Sequence, residues 1–113
     1  MTRKEALAEL IAKVEAGENP SQAEWAEVFP DTLDDDGYAR SMMATQANVG
    51  WIDAAHTLHE AVLKDWWCEL RLSTRPRAVI GTLEPEAEGQ SEILSRAWLL
   101  AILRALHAME AAE

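Results

Sequence analysis

The sequence predicts an α+β fold: a helix-rich N-terminal half, a β-hairpin or small antiparallel sheet sandwiched between helices, and one long C-terminal helix. Three observations carry this expectation. Apolar residues recur every three to four positions as far as Leu63, the spacing of one helix face. The period drops to two from Trp66 to Leu72, as in a strand with one buried face. Helical spacing then returns over a long alanine- and leucine-rich stretch from about Glu92 to Met109. A chain of 113 residues is sized for one domain spanning 1–113, and its composition is that of an ordinary globular protein.

Taken in order, Thr2 and Glu5 are spaced as a capping box, in which hydroxyl and carboxylate satisfy each other's free backbone amides. Leu7, Leu10, Ile11 and Val14 follow as one narrow apolar stripe, and Gly17 closes the helix because glycine accepts the left-handed conformation. Asn19-Pro20 turns the chain. Ser21 and Glu24 form a second capping box ahead of Trp25, Val28 and Phe29, and Pro30 ends that short helix. Asp31 to Gly37 reads as an acidic, exposed loop; DTLDDDG lacks the alternating ligands and distal glutamate of a calcium loop.

Tyr38 to Ala47 is the third predicted helix, stopped near Asn48 to Gly50. The fourth runs from about Ile52 to Leu63, with Ile52, Ala55, Leu58, Val62 and Leu63 on its inner face. In the strand that follows, Trp66, Cys68, Leu70 and Leu72 share one side, and Trp67, Glu69 and Arg71 the other. Ser73 to Pro76 supplies turn chemistry, and Arg77 to Leu83 returns as the second strand. Its core side is either Val79, Gly81 and Leu83 or Ala78 and Ile80. Glu84 to Gln90 reads as an acidic loop, and Ser91 or Ser95 caps the closing helix. Helix four and the closing helix are the expected layers on the two faces of the hairpin, since two strands alone are marginal.

Twenty acidic against ten basic residues give a formal charge of −10. That balance repels nucleic-acid phosphates and anionic membrane surfaces, so neither is expected as a direct partner. A basic host or phage protein is the partner such a surface suits. The single cysteine rules out an internal disulfide, and no apolar run approaches the ~20 residues of a membrane span. The start, MTRKEALAEL, meets charge early and carries no signal-peptide core. A cytoplasmic, reducing compartment is expected.

Further identity comes from particular residues. Ile52-Asp53-Ala54-Ala55, then Leu58-His59-Glu60-Ala61-Val62-Leu63, then Trp66 resemble an I/L-D-A-A…L-H-E-x-V-L-x-x-W arrangement of small phage and prophage proteins. These are grouped as the phage ABA-sandwich family, named for layers of helix, sheet and helix. Ala97 to Leu106 is similar to that family's apolar closing helix, and Ala12 to Gly17 to its first helix and glycine break. The resemblance covers most of the chain outside residues 31–49. It implies a fold and a phage or prophage origin; it brings no activity, cofactor or functional residue.

The residues offer little chemistry of their own. Asp53, His56, His59 and Glu60 are the densest set of potential metal ligands, because positions three and four apart stand on neighbouring helical turns. His59, however, falls near the middle of the apolar face, where a histidine is more often a hydrogen-bonded core residue. Cys68 alternates with Trp66 and Leu70, which suggests a buried, inert thiol. Arg71, Arg75 and Arg77 cluster about the hairpin as candidate ligands for an anionic group. No phosphate-binding glycine loop and no G-x-S-x-G elbow occurs.

No enzyme, no cofactor and no metal are therefore expected. The role that fits is a small phage- or prophage-derived accessory or interaction protein. The alternatives are an acidic decoy of a host nucleic-acid-binding protein and, less favoured, a metal enzyme at Asp53, His56, His59 and Glu60. A homodimer is expected through the sheet or the closing helix, because Leu94, Trp98, Leu99, Ile102, Leu103 and Leu106 cover about half the helix circumference. Leu99, Leu103 and Trp67 are the candidate interface residues, unless the first helix covers that surplus within one chain.

Overall fold

The computed structural model describes residues 2–29, 36–82 and 86–111. Among these the order is α1 (Arg3–Glu15), α2 (Gln22–Val28), α3 (Asp36–Asn48), α4 (Ile52–Val62), β1 (Trp67–Arg71), β2 (Arg77–Gly81), β3 (Glu86–Gln90) and α5 (Leu94–Ala111). The class is α+β, with a helical first half, a three-stranded antiparallel sheet and a long last helix. The sheet order is β1-β2-β3. No helix among the described residues is long and apolar enough to cross a membrane.

Local chemistry sets the first helices. The Thr2 hydroxyl accepts from the Glu5 backbone amide and donates to the Glu5 carboxylate, so the cap forms but the carboxylate does not return to the backbone. At α2 the box is reciprocal: Ser21 accepts from the Glu24 amide, and Glu24 accepts from the Ser21 amide at 3.2 Å. Gly17 turns α1 off at φ +81°, where a side chain would be strained. The acidic stretch 31–35, read as a loop, lies outside the described residues; α3 already begins at Asp36.

Helix α5 is the hub. Every residue from Ala97 to Leu103 is buried, the mark of a helix wrapped on all sides. Strands β2 and β3 cover one flank, and α1, α3 and α4 cover the others. Leu99 and Leu103 are therefore core residues at 0% exposure, which corrects their assignment to a dimer interface. The wide apolar arc is spent inside the chain because α1 packs its Leu7–Leu10–Val14 stripe into the same cluster.

Small residues let α5 approach the sheet. In the ladder, Leu70 pairs with Ala78 and Ala78 with Gly89, and Gly89 lies directly against the backbone of Ala97 and Ala101. The next row on that side is Cys68, Ile80 and Ala87. Ala78 and Ile80 are thus the core side of β2, closing the choice the sequence leaves open; Val79 is buried as well, but outside the core cluster. The segment expected as an acidic loop at 84–90 contains β3. Helix α4 packs on α3 and α5, and its hydrogen-bonded tie to the sheet region runs through His59.

Polar bonds lock the helix ends. Ser95 Oγ donates to Ala47 O at 2.6 Å, and Arg96 Nε to Asn48 O at 3.0 Å, so α5 satisfies carbonyls that the end of α3 leaves open. The buried Asn48 side chain donates to Glu18 O and Asn19 Oδ1 at 3.0 and 2.9 Å. Arg104 reaches from α5 to Glu88 O at 2.7 Å and Glu15 at 2.6 Å.

Candidate functional site

Only one of the four potential metal ligands on α4 faces the interior. His59 is 2% exposed; its Nδ1 accepts the indole N–H of Trp98 at 3.0 Å. The other ring nitrogen, Nε2, must then carry the hydrogen, and it donates to Trp66 O at 2.9 Å. Both nitrogens are engaged, and the ring ties α4 to the start of the sheet and to α5. His56 is exposed, 3.8 Å from exposed Glu60, with its ring 5.8 Å from that of Trp98. Asp53 is exposed at the start of the helix. Among the described residues no three such side chains are grouped to hold a metal ion.

Arg71 and Arg77 stand directly opposite one another in the ladder, each beside a glutamate. Arg71 donates to Glu69 at 3.1 Å, and Arg77 lies 2.8 Å from Glu88. The Glu69 carboxylate beside it raises the Arg71 guanidinium above its ordinary range. Arg75 lines a polar cavity of about 220 Å³ with Arg96, Glu15 and Glu92. A second cavity, of about 210 Å³, lies between α1 and α2 over Ala6, Leu10 and Ala23, with Glu9, Glu24 and Glu27 about it. Lys13 pairs with Glu24 there and holds its carboxyl below the usual range.

Exposed apolar side chains gather on the outer strand, as they do at Val49, Trp51 and Ile52. All five residues of β1 are exposed, against the expectation of a half-buried strand. Its core-side residues Cys68 and Leu70 extend a row that α5 covers only over β2 and β3. Leu72, just past the strand, is 79% exposed, and Leu70 37%. Trp67 stands on the opposite side at 41% exposure, opposite Gly81 and donating its indole N–H to Thr82 O at 2.9 Å. Trp67 is the one candidate interface residue that remains on the surface. The other edge strand, β3, carries Glu86 and Glu88, charges that discourage edge pairing.

Cys68 lies on this strand and is exposed, which corrects the expectation of a buried thiol, yet neighbouring protein atoms desolvate its sulfur enough to push the thiol up to about 11. The anion is the nucleophile, so little of the thiol is in its reactive form near neutrality despite its exposure. The rate of alkylation by iodoacetamide is expected to rise about tenfold per pH unit until about pH 11. A rate that levels off by pH 8 to 9 on this scale would refute it.

No family model, curated protein or solved structure matches the chain.

Proposed function

We propose that this is a small accessory protein of phage or prophage origin that works without catalysis, by binding another protein chain along β1. The observation that supports this is a strand exposed along its whole length, with Trp67 and Leu70 on it and Leu72 just past it, in a chain whose buried apolar residues, Val79 apart, gather in one cluster among the described residues. A bare strand edge presents unpaired amide and carbonyl groups, and pairing it satisfies them while apolar neighbours leave water. The origin rests on the resemblance of residues 52–66 to small phage proteins.

Capture from lysates of phage-infected and uninfected bacteria tests the reading. The wild type is expected to retain a specific protein that the Leu70→Lys/Leu72→Lys variant loses, with the variant's helix content and melting temperature unchanged. Equal capture by both proteins would overturn the assignment to β1.

A second reading, an acidic decoy for a basic groove, is favoured by the charge of −10 and by Glu9, Glu24 and Glu27 over the α1–α2 cavity. Residues 31–35 and 84–85, which hold four of the twenty acidic residues, lie outside the described ones. The same capture repeated across salt separates the two. A decoy loses its partner steeply as salt rises, because screening weakens exposed charge contacts, whereas a strand pairing on apolar residues keeps it.

A further inference from the structure

We infer that the partner of β1 is a second copy of β1, paired antiparallel about a two-fold axis at Leu70. This rests on the reading of β1 as an interaction edge and names its occupant. The inference comes from charge order along the strand. In an antiparallel pair the residues directly opposite share a face, so a two-fold pairing must be centred on a residue.

Centred on Glu69, the pairing sets Glu69 against the second Glu69; centred on Arg71, it sets the two arginines together. Like charges directly opposite are destabilising. Centred on Cys68, it sets Glu69 against Trp67, with no counter-charge, and Asp65, at φ +74°, breaks the strand where Arg71 would find its partner. Centred on Leu70, each Glu69 faces the other copy's Arg71, and the two leucines meet on the axis. Cys68 then faces Leu72, which is otherwise 79% exposed. Both faces of the strand are complementary at once: two ion pairs on one, an apolar row on the other.

The resulting sheet runs β3-β2-β1-β1-β2-β3, so its remaining edges are the glutamate-bearing β3 strands, and growth stops at two copies. The Glu69–Arg71 ion pair within one chain shows that both side chains already lie on the same side of the strand. Symmetric closure of this kind is the commonest form of self-association.

Sedimentation equilibrium of the whole chain across micromolar concentrations tests the register. The wild type is expected at twice 12.6 kDa. Glu69→Arg alone and Arg71→Glu alone should each weaken the dimer roughly tenfold or more, since each turns two attractive pairs into repulsive ones. The double exchange Glu69→Arg/Arg71→Glu should restore it, because the pairs re-form with signs reversed. All three variants change only exposed side chains, so folding is expected to hold and circular dichroism verifies it. In a Cys68→Ser background, Leu70→Cys should cross-link two chains on oxidation and Glu69→Cys should not.

A wild type at 12.6 kDa throughout overturns the inference; if lysate capture is still lost in Leu70→Lys/Leu72→Lys, the edge serves a foreign partner and the broader reading stands. A dimer indifferent to the single exchanges also overturns it, by placing the contact elsewhere.

Discussion

Adding one methyl group at Gly89 is expected to lower the unfolding free energy by about 3 kcal/mol. The new Cβ would lie 2.6 Å from Ala101 N and 2.7 Å from Leu100 Cβ, and closer still to Ala97 O. Two of these atoms are helix backbone, which no rotamer change can move. Helix α5 would have to lift off β3, its most extensive partner in the fold, and the packing of the whole hub would loosen. For a chain of this size such a loss corresponds to a fall in melting temperature of roughly 10–20 °C. Gly50 is the control: nothing lies within 4 Å of its would-be Cβ, but φ is +119°, so Gly50→Ala measures backbone strain without a clash, on the order of 1 kcal/mol. Denaturant titration of both variants decides the matter. A Gly89→Ala protein within about 0.5 kcal/mol of wild type, the usual range of a neutral surface change, would show that α5 does not sit as tightly on the sheet as described.

The second large effect is expected at His59. Truncation to alanine empties space beside Trp98 and strands two polar groups, the Trp98 indole N–H and the Trp66 carbonyl. The cavity and the lost bonds together should cost roughly 3–5 kcal/mol. Trp98→Phe leaves His59 Nδ1 without its donor and should cost about 1–3 kcal/mol. The two losses share one bond, so His59→Ala combined with Trp98→Phe should be less harmful than the sum of the singles, with a coupling of at least about 1 kcal/mol. Strictly additive losses would show that the bond between the rings contributes nothing. The same geometry bears on metal binding: Nδ1 accepts a hydrogen bond and Nε2 carries a hydrogen, so neither nitrogen has a lone pair to give an ion while Trp98 and Trp66 stay in place.

The sequence by itself determined the α+β class, the helical first half, two capped N-terminal helices, the two-strand turn and the burial of His59. Each follows from local rules, since caps, stops and periodicity depend on residues a few positions apart. It did not disclose β3. That strand reads Glu-Ala-Glu-Gly-Gln, and its inward residues, Ala87 and Gly89, are too small to register as an apolar alternation. They are small because a helix backbone lies on them, and that helix is remote in sequence. The one trace was the alternation itself, polar with small.

The destination of the apolar arc on α5 was likewise illegible. Ala97 to Leu103 specify a helix hungry for contact, but whether α1 or a second chain satisfies it depends on how the elements fold over one another. Tertiary packing decided for α1, which sent Leu99 and Leu103 into the core. It also ended the cover of α5 at β2 and β3, leaving β1 bare. Periodicity fixes which side chains share a face of a strand; only the reach of the neighbouring helix decides whether that face meets protein or water.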